Sequence, residues 1–215
     1  MSLVLRPAYR IQSERLTIRC YEPSDAPQLR QAMEDSVEHL LPWMAWARDE
    51  PAPMAEIVVR IRRFRAQFDM GMDFIYAIFD GDQKLVGGTG LHPRIGPGCA
   101  EIGYWIRAGH TRLGYATEAA AALTRVGFVV HGYRKIEIRV VPQNEPSVRI
   151  PRGLGYRFDG LARSHVPGVE RTDPWRDAEV HSLLATEFIG GTADQRSRRV
   201  SAFDCTGEPL LTPAP

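Results

Sequence analysis

The chain has 215 residues, a formal net charge of +1, 44% hydrophobic residues and 25% charged residues. Its length fits one large domain, or one domain with an appendage, and its composition excludes wholesale disorder. Near-neutral charge excludes an overall field suited to nucleic acid or an anionic membrane, so neither partner is expected.

Residues 15–20, RLTIRC, alternate in character and predict a first strand, after which YEPSDAPQLRQAME supplies a turn with Asp25 as cap of a helix. The segment 36–49, SVEHLLPWMAWARD, sets Trp43 and Trp46 in an apolar cluster broken by Pro42. From Met54 to Phe68, apolar residues at Ile57, Val58, Ile61, Phe64 and Phe68 give one helical face, with arginines at 60, 62, 63 and 65 alongside. Those arginines suit a solvated face, with steering of an acidic substrate as the alternative. FIYAIF, the DGDQ turn and KLVGGTGLH predict a hairpin, and CAEIGYWI a third strand of the same meander. HTRLGYATEAAAALTRVGFVVHG reads as a turn followed by an alanine-rich helix, and KIEIRVV as a buried strand. NEPSVRIPRGLGY predicts a short helix, followed by strands in YRFDGLA and DAEVHSLLATEF. Past Gly190 the chain turns polar, and VSAFDCTGEPLL suggests a hairpin around Thr206 and Gly207.

This order gives an α+β (mixed α/β) fold: a largely antiparallel twisted sheet of about six to seven strands flanked by helices. Residues 1–188 form the domain and 189–215 a C-terminal extension. No G-x-G-x-x-G follows a strand, so a dinucleotide fold is a poor fit. Cys20, Cys99 and Cys205 form no CxxC pair and no Cys/His run, so no metal site and no disulfide framework is expected. MSLVLRPAYR carries no long apolar run and no stretch approaches 18 apolar residues, so the expected location is the cytoplasm. An uncovered sheet edge or the C-terminal hairpin could pair two chains into a homodimer.

The most informative stretch is the strand-turn-helix from Glu101 to Val130. Backbone N–H groups from Arg112, Leu113, Gly114, Tyr115, Ala116 and Thr117 have no helical partner at the start of a helix. With the positive end of the helix dipole they make a site for a phosphate, and Gly114 admits a ligand without a Cβ in the way. A simple turn is the other reading of the same glycine. Glu118 suits first-turn helix charge.

EIGYWI, then TRLGYATEAAAALTRVGF, then NEPSVRIPRGLGY with RDAEVHSLL, resembles the GNAT acetyltransferases, in the branch of the RimJ- and RimL-type ribosomal-protein N-terminal acetyltransferases. The resemblance runs from about Arg15 to Phe188. Its most specific element is the pyrophosphate loop Q/R-x-x-G-x-G/A, here on Thr111, Gly114 and Ala116, and N-x-x-S at Asn144 and Ser147 is the second. It implies a sheet with splayed central strands and acetyl-CoA as co-substrate, its pyrophosphate on residues 112–117. The pantetheine would lie between the strand of Ile102 to Ile106 and that of Ile136 to Val140. Ile106, Arg107, Asn144 and Ser147 would complete the cofactor contacts, and the acceptor amine, from a protein N-terminus or a small molecule, would attack directly without an acyl-enzyme.

Two departures from the pattern bear on the chemistry. Thr111 stands where Gln or Arg is common, which removes a side-chain contact and spares the backbone. Many GNAT enzymes carry a tyrosine general acid seven residues after the Asn, and that position here is Pro151. A proline inside a helix costs roughly 3 kcal/mol, so the helix is expected to break at Pro151. Ser147 is then the candidate to protonate the leaving thiolate, or else a cap at the helix start. Glu101 is the candidate base, or else an edge-strand carboxylate. Trp43 and Trp46 line the acceptor cleft or plug the core, and His181 faces the acceptor or is an ordinary strand histidine. A catalytically weak CoA-binding sensor or scaffold is the competing function.

Overall fold

A computed structural model describes residues 6–213; residues 1–5, on which part of the reading of the N-terminus rests, lie outside the described residues. The chain opens with a hairpin, β1 (Arg10–Gln12) and β2 (Thr17–Cys20), followed by α1 (Ala26–Glu34), a short α2 (Val37–Leu40), a 3-10 turn over Ala45–Asp49 and α3 (Met54–Asp69). The meander is β3 (Phe74–Phe79), β4 (Leu85–His92) and β5 (Cys99–Ile106). Then come α4 (Tyr115–Val129), β6 (Lys135–Val140), α5 (Glu145–Gly153), β7 (Arg157–Val166) and β8 (Arg176–Leu184). The last residues form α6 (Ala185–Phe188), α7 (Thr192–Arg196), β9 (Ser201–Phe203) and β10 (Pro209–Leu211).

All ten strands join one sheet in the order β10-β9-β1-β2-β3-β4-β5-β6-β8-β7. The sheet is larger than the expected six to seven strands. The surplus comes from β1, too short to show a period in sequence, and from the C-terminal hairpin, whose β9 pairs with β1. Only β5 and β6 run parallel. Their connection is the long crossover through α4, as parallel neighbours require.

Helices cover both faces. On one side Ala119 to Leu123 and Val126 of α4 pack on Ile102, Ile106, Ile136 and Ile138. On the other, Leu29 and Met33 of α1 and Ile57 and Ile61 of α3 pack on Ala77, Phe79 and Leu85. The alternation of β5 therefore decides which side each residue serves: Ile102 and Ile106 belong to the α4 side, Trp105 to the α1 and α3 side.

Three local expectations fail: the last strand stops at Leu184, where Ala185–Phe188 turn into α6, and Asp25 and Pro151 behave otherwise than expected. Asp25 does not cap α1 with its side chain. Its carboxylate turns back to accept from the Glu22 N–H at 2.8 Å and from Arg19 at 2.7 and 2.8 Å, because the buried charge needs the guanidinium more than the helix end does. Nor does α5 break at Pro151: it runs on to Gly153. The proline removes the bond that its own N–H would have made to the Ser147 carbonyl. That carbonyl instead accepts from the Tyr104 hydroxyl at 3.3 Å. A replacement bond returns about 1 kcal/mol of the cost.

Candidate active site

At the head of α4, Gly114 adopts φ +85° and Arg112 φ +63°. This alternation turns successive amides toward one side of the loop. Among the described residues, none of the N–H groups from Arg112 to Thr117 has a backbone acceptor; the first bonded amide is that of Glu118, on the Gly114 carbonyl at 3.0 Å. Residues 112–117 thus fit a phosphate in both donor number and dipole sign. Glu118 accepts from the Arg15 Nε at 2.7 Å and the Ser13 hydroxyl at 2.8 Å. Arg15 in turn reaches the Leu113 carbonyl at 2.9 Å, so the β1–β2 hairpin braces the loop. Arg107 does not take part: its side chain bonds Asp35 and its amide the Val86 carbonyl at 2.8 Å.

Beside this loop the sheet opens. β5 and β6 pair only from Cys99 with Lys135 to Glu101 with Glu137, after which β5 runs on to Ile106 and β6 to Val140 without pairing. Ile106 is buried at the far end of β5. Tyr104 reaches from β5 to α5, where its hydroxyl stands 3.2 Å from Ser147 Oγ. Burial pushes the Tyr104 phenol up, keeping it a neutral donor. Asn144 caps α5, its side chain accepting from the Ser147 amide at 3.3 Å. Ser147 Oγ makes no cap of its own and is left to Tyr104.

On the other face a cavity of about 540 Å³ lies against β4 and β5, walled by Trp46, Trp105, Phe64 and Met33 among others. Trp46 meets Trp105 edge-on at 6.3 Å, so the apolar wall is shared by the 36–49 segment and the sheet. Glu50 closes one side, its carboxylate nearly fully buried and paired with Arg60. Arg60 is therefore tied into the cavity wall and not simply a solvated residue. Trp43 does not line the cavity; its carbonyl accepts from Arg176 at 3.3 Å and fixes the segment to β8. His181 is fully buried on the opposite face, opposed to Ile138, with Nε2 2.8 Å from Glu179. The structure brings Trp46 to the cavity but neither Trp43 nor His181. Glu101 stands beside the cavity with both carboxylate oxygens on Arg94, at 3.0 and 3.1 Å. No cysteine lines it, and burial pushes the Cys20 thiol up to about 11.

Residues 15–157 match the model of the acetyltransferase (GNAT) domain. The chain belongs to the GNAT acetyltransferases. The putative ribosomal N-acetyltransferase YdaF of Bacillus subtilis is 28% identical over 181 residues, covering 83% of this chain and 96% of that protein. The uncharacterized N-acetyltransferase p20 of Bacillus licheniformis is 34% identical over 93 residues, which span 43% of this chain and about half (51%) of that protein. Among solved structures, Mycobacterium smegmatis RimJ in complex with CoA-disulfide superposes with a TM-score of 0.76 at 24% identity, covering 91% of this chain and 95% of that one, and shares the fold.

As a GNAT enzyme the chain transfers an acetyl group from acetyl-CoA to an amine, and three groups that the sequence left unassigned sit where that matters. Tyr104 and Trp105 lie within EIGYWI, on opposite faces of β5, one toward Ser147 and one toward the cavity. His92 ends β4 on the cavity wall. The signal available was the row of glycines at 88, 90 and 103, positions without side chains in two neighbouring strands, which mark where something else must fit.

Proposed function

We propose that this GNAT acetyltransferase acetylates the α-amine of a protein N-terminus, a ribosomal protein being the acceptor class that the name of its relative YdaF suggests. The reading is carried by one juxtaposition. The amide-lined loop at the head of α4 and the tryptophan-walled cavity flank the same unpaired gap between β5 and β6. Acetyl-CoA held by its pyrophosphate on residues 112–117 has the gap as its path to the acceptor side. The amine lone pair attacks the thioester carbon, the C–N bond forms and the C–S bond breaks, its electron pair leaving on sulfur. Ser147 Oγ–H gives that thiolate a proton while the Tyr104 hydroxyl hydrogen-bonds Ser147 Oγ, and the proton that the nitrogen sheds on becoming an amide goes to water, from which Ser147 is reprotonated. An α-amine suits the site because freeing it at pH 7 costs about 1.4 kcal/mol, against roughly 4.6 kcal/mol for a lysine ε-amine. Pro151, standing where many GNAT enzymes carry a tyrosine acid, favours a second reading, a CoA-binding module with negligible transfer.

Such an enzyme works in the cytoplasm, where its acceptor is made. A homodimer would form along the outer edge of β7, which leaves Phe158 and Leu161 exposed. Among the described residues, no helix is long and apolar enough to cross a membrane. Calorimetric titration of acetyl-CoA into wild type and Gly114→Trp tests the cofactor end. Wild type should bind at about micromolar affinity and the variant at least about a hundredfold more weakly, since a side chain at φ +85° is strained and fills the approach to the amides. Equal binding by both would remove the phosphate from this loop, and binding without thiol release on any amine would leave the module reading.

A further inference from the structure

His92 on the cavity wall and its partner Asp73 form a polar pair that the scheme above leaves without a task. Asp73, just ahead of β3, brings its Oδ1 to 2.6 Å from Nδ1 of His92. With a carboxylate as partner, Nδ1 carries the proton and Nε2 keeps its lone pair. The His92 side chain is only 15% exposed, so the pair is built into the wall and not loose on the surface. Its Nε2 end occupies space that the sheet clears for it: a Cβ on Gly90 would stand 2.4 Å from Nε2, and one on Gly103 3.5 Å. Any side chain at position 90 would evict the ring, so the glycine is what lets an imidazole lie over both strands.

The register aims this nitrogen. His92 is opposed to Glu101, and Glu101 to Glu137 at the last pairing of β5 with β6. Gly103, under Nε2, is two residues farther along β5, on the stretch that pairs with β4 but no longer with β6 and so borders the gap. Glu101 is worse placed to take a proton, because Arg94 already occupies both of its oxygens. Resting on the acetyl-transfer reading, we propose that His92, oriented by Asp73, is the base that accepts the proton from the acceptor amine. The ammonium gives one proton to Nε2, and the imidazolium so formed is held by the Asp73 carboxylate. The free amine then forms the C–N bond as the C–S bond breaks. The nitrogen's second proton passes to water as the amide forms, Ser147 takes one back from water after protonating the thiolate, and His92 returns its proton to solvent. Around His92 stand Asp73, the Glu101–Arg94 pair and, across the cavity, Asp49 with Arg171 and Glu50 with Arg60, so each of these carboxylates but Asp73 is matched by an arginine.

The test measures thiol release with tetra-alanine amide as acceptor, from pH 6 to 9, for wild type, His92→Gln, Asp73→Asn and Glu101→Gln, with the acetyl-CoA Kd of each. General-base removal is expected to lower kcat/KM of His92→Gln about a hundredfold at pH 7 while its acetyl-CoA affinity stays within about twofold. The deficit should shrink as pH rises toward the amine's own pKa, about 8, since solvent then supplies the free amine. Asp73→Asn, which keeps the ring near its place but removes the anion, should lose about tenfold. A His92→Gln rate near wild type, a deficit constant across pH, or a pH-sensitive loss found in Glu101→Gln instead would each overturn the assignment while leaving the acetyltransferase standing. A wild type that neither binds acetyl-CoA nor acetylates the peptide overturns both.

Discussion

At the head of α4 the groups that would meet the co-substrate are main-chain amides, laid out by one glycine at φ +85° and the first turn of a single helix. Across the gap the cavity proposed for the acceptor is made of side chains contributed by α1, the 36–53 segment, α3 and three neighbouring strands. The first kind of site is local: its parts lie within about six consecutive residues, and its chemistry is indifferent to most side chains. The second is assembled by the fold, and each wall residue depends on a partner distant in sequence, as Trp46 does on Trp105 and His92 on Asp73. The two ends should therefore fail differently under mutation.

Where the ends meet, a side chain with a chemical task should show the largest effect. Ser147→Ala removes the only hydroxyl that Tyr104 touches, and with it the proposed route of a proton to the thiolate. Its kcat should fall about a hundredfold in steady-state thiol release while the acetyl-CoA Kd moves less than about twofold. A parallel loss of affinity would instead mark Ser147 as a prop for α5. Trp46→Ala comes next: it opens the apolar wall on one side only, so KM for a peptide acceptor should rise about tenfold with kcat little changed. An equal drop in kcat would mean that the tryptophan positions the reacting amine and does not merely hold the rest of the peptide.

The same division explains what could be read before the structure. The meander, the helix of residues 115–129 and the glycine turn ahead of it were legible because each is a run with its own period or a glycine with one geometric use. The strand β1 was not: it has three residues and gains its place only by pairing with β2 and β9. At Pro151 local chemistry misled, since the tertiary partner Tyr104 compensates the carbonyl that the proline strands. His181 alternates correctly for a strand but on the buried face, and a single strand's alternation does not say which face is the cavity. Glu101 lies in β5, a central strand and not the edge strand that its alternative reading required, and its neutralising partner Arg94 lies across a turn whose path the sequence does not fix.

The smallest effect should come from the end that looks most specific in sequence. Leu113 sits inside the loop motif, yet its side chain is exposed and the groups that matter there are its amide and its neighbours'. Leu113→Ala keeps every donor and the helix dipole, and relieves no positive φ, because the strained positions are Arg112 and Gly114. Its acetyl-CoA Kd should stay within about twofold of wild type by calorimetry. If alanine there weakened binding tenfold, the cofactor end would be a side-chain site like the acceptor end, and the contrast between backbone and side-chain recognition would not hold for this enzyme.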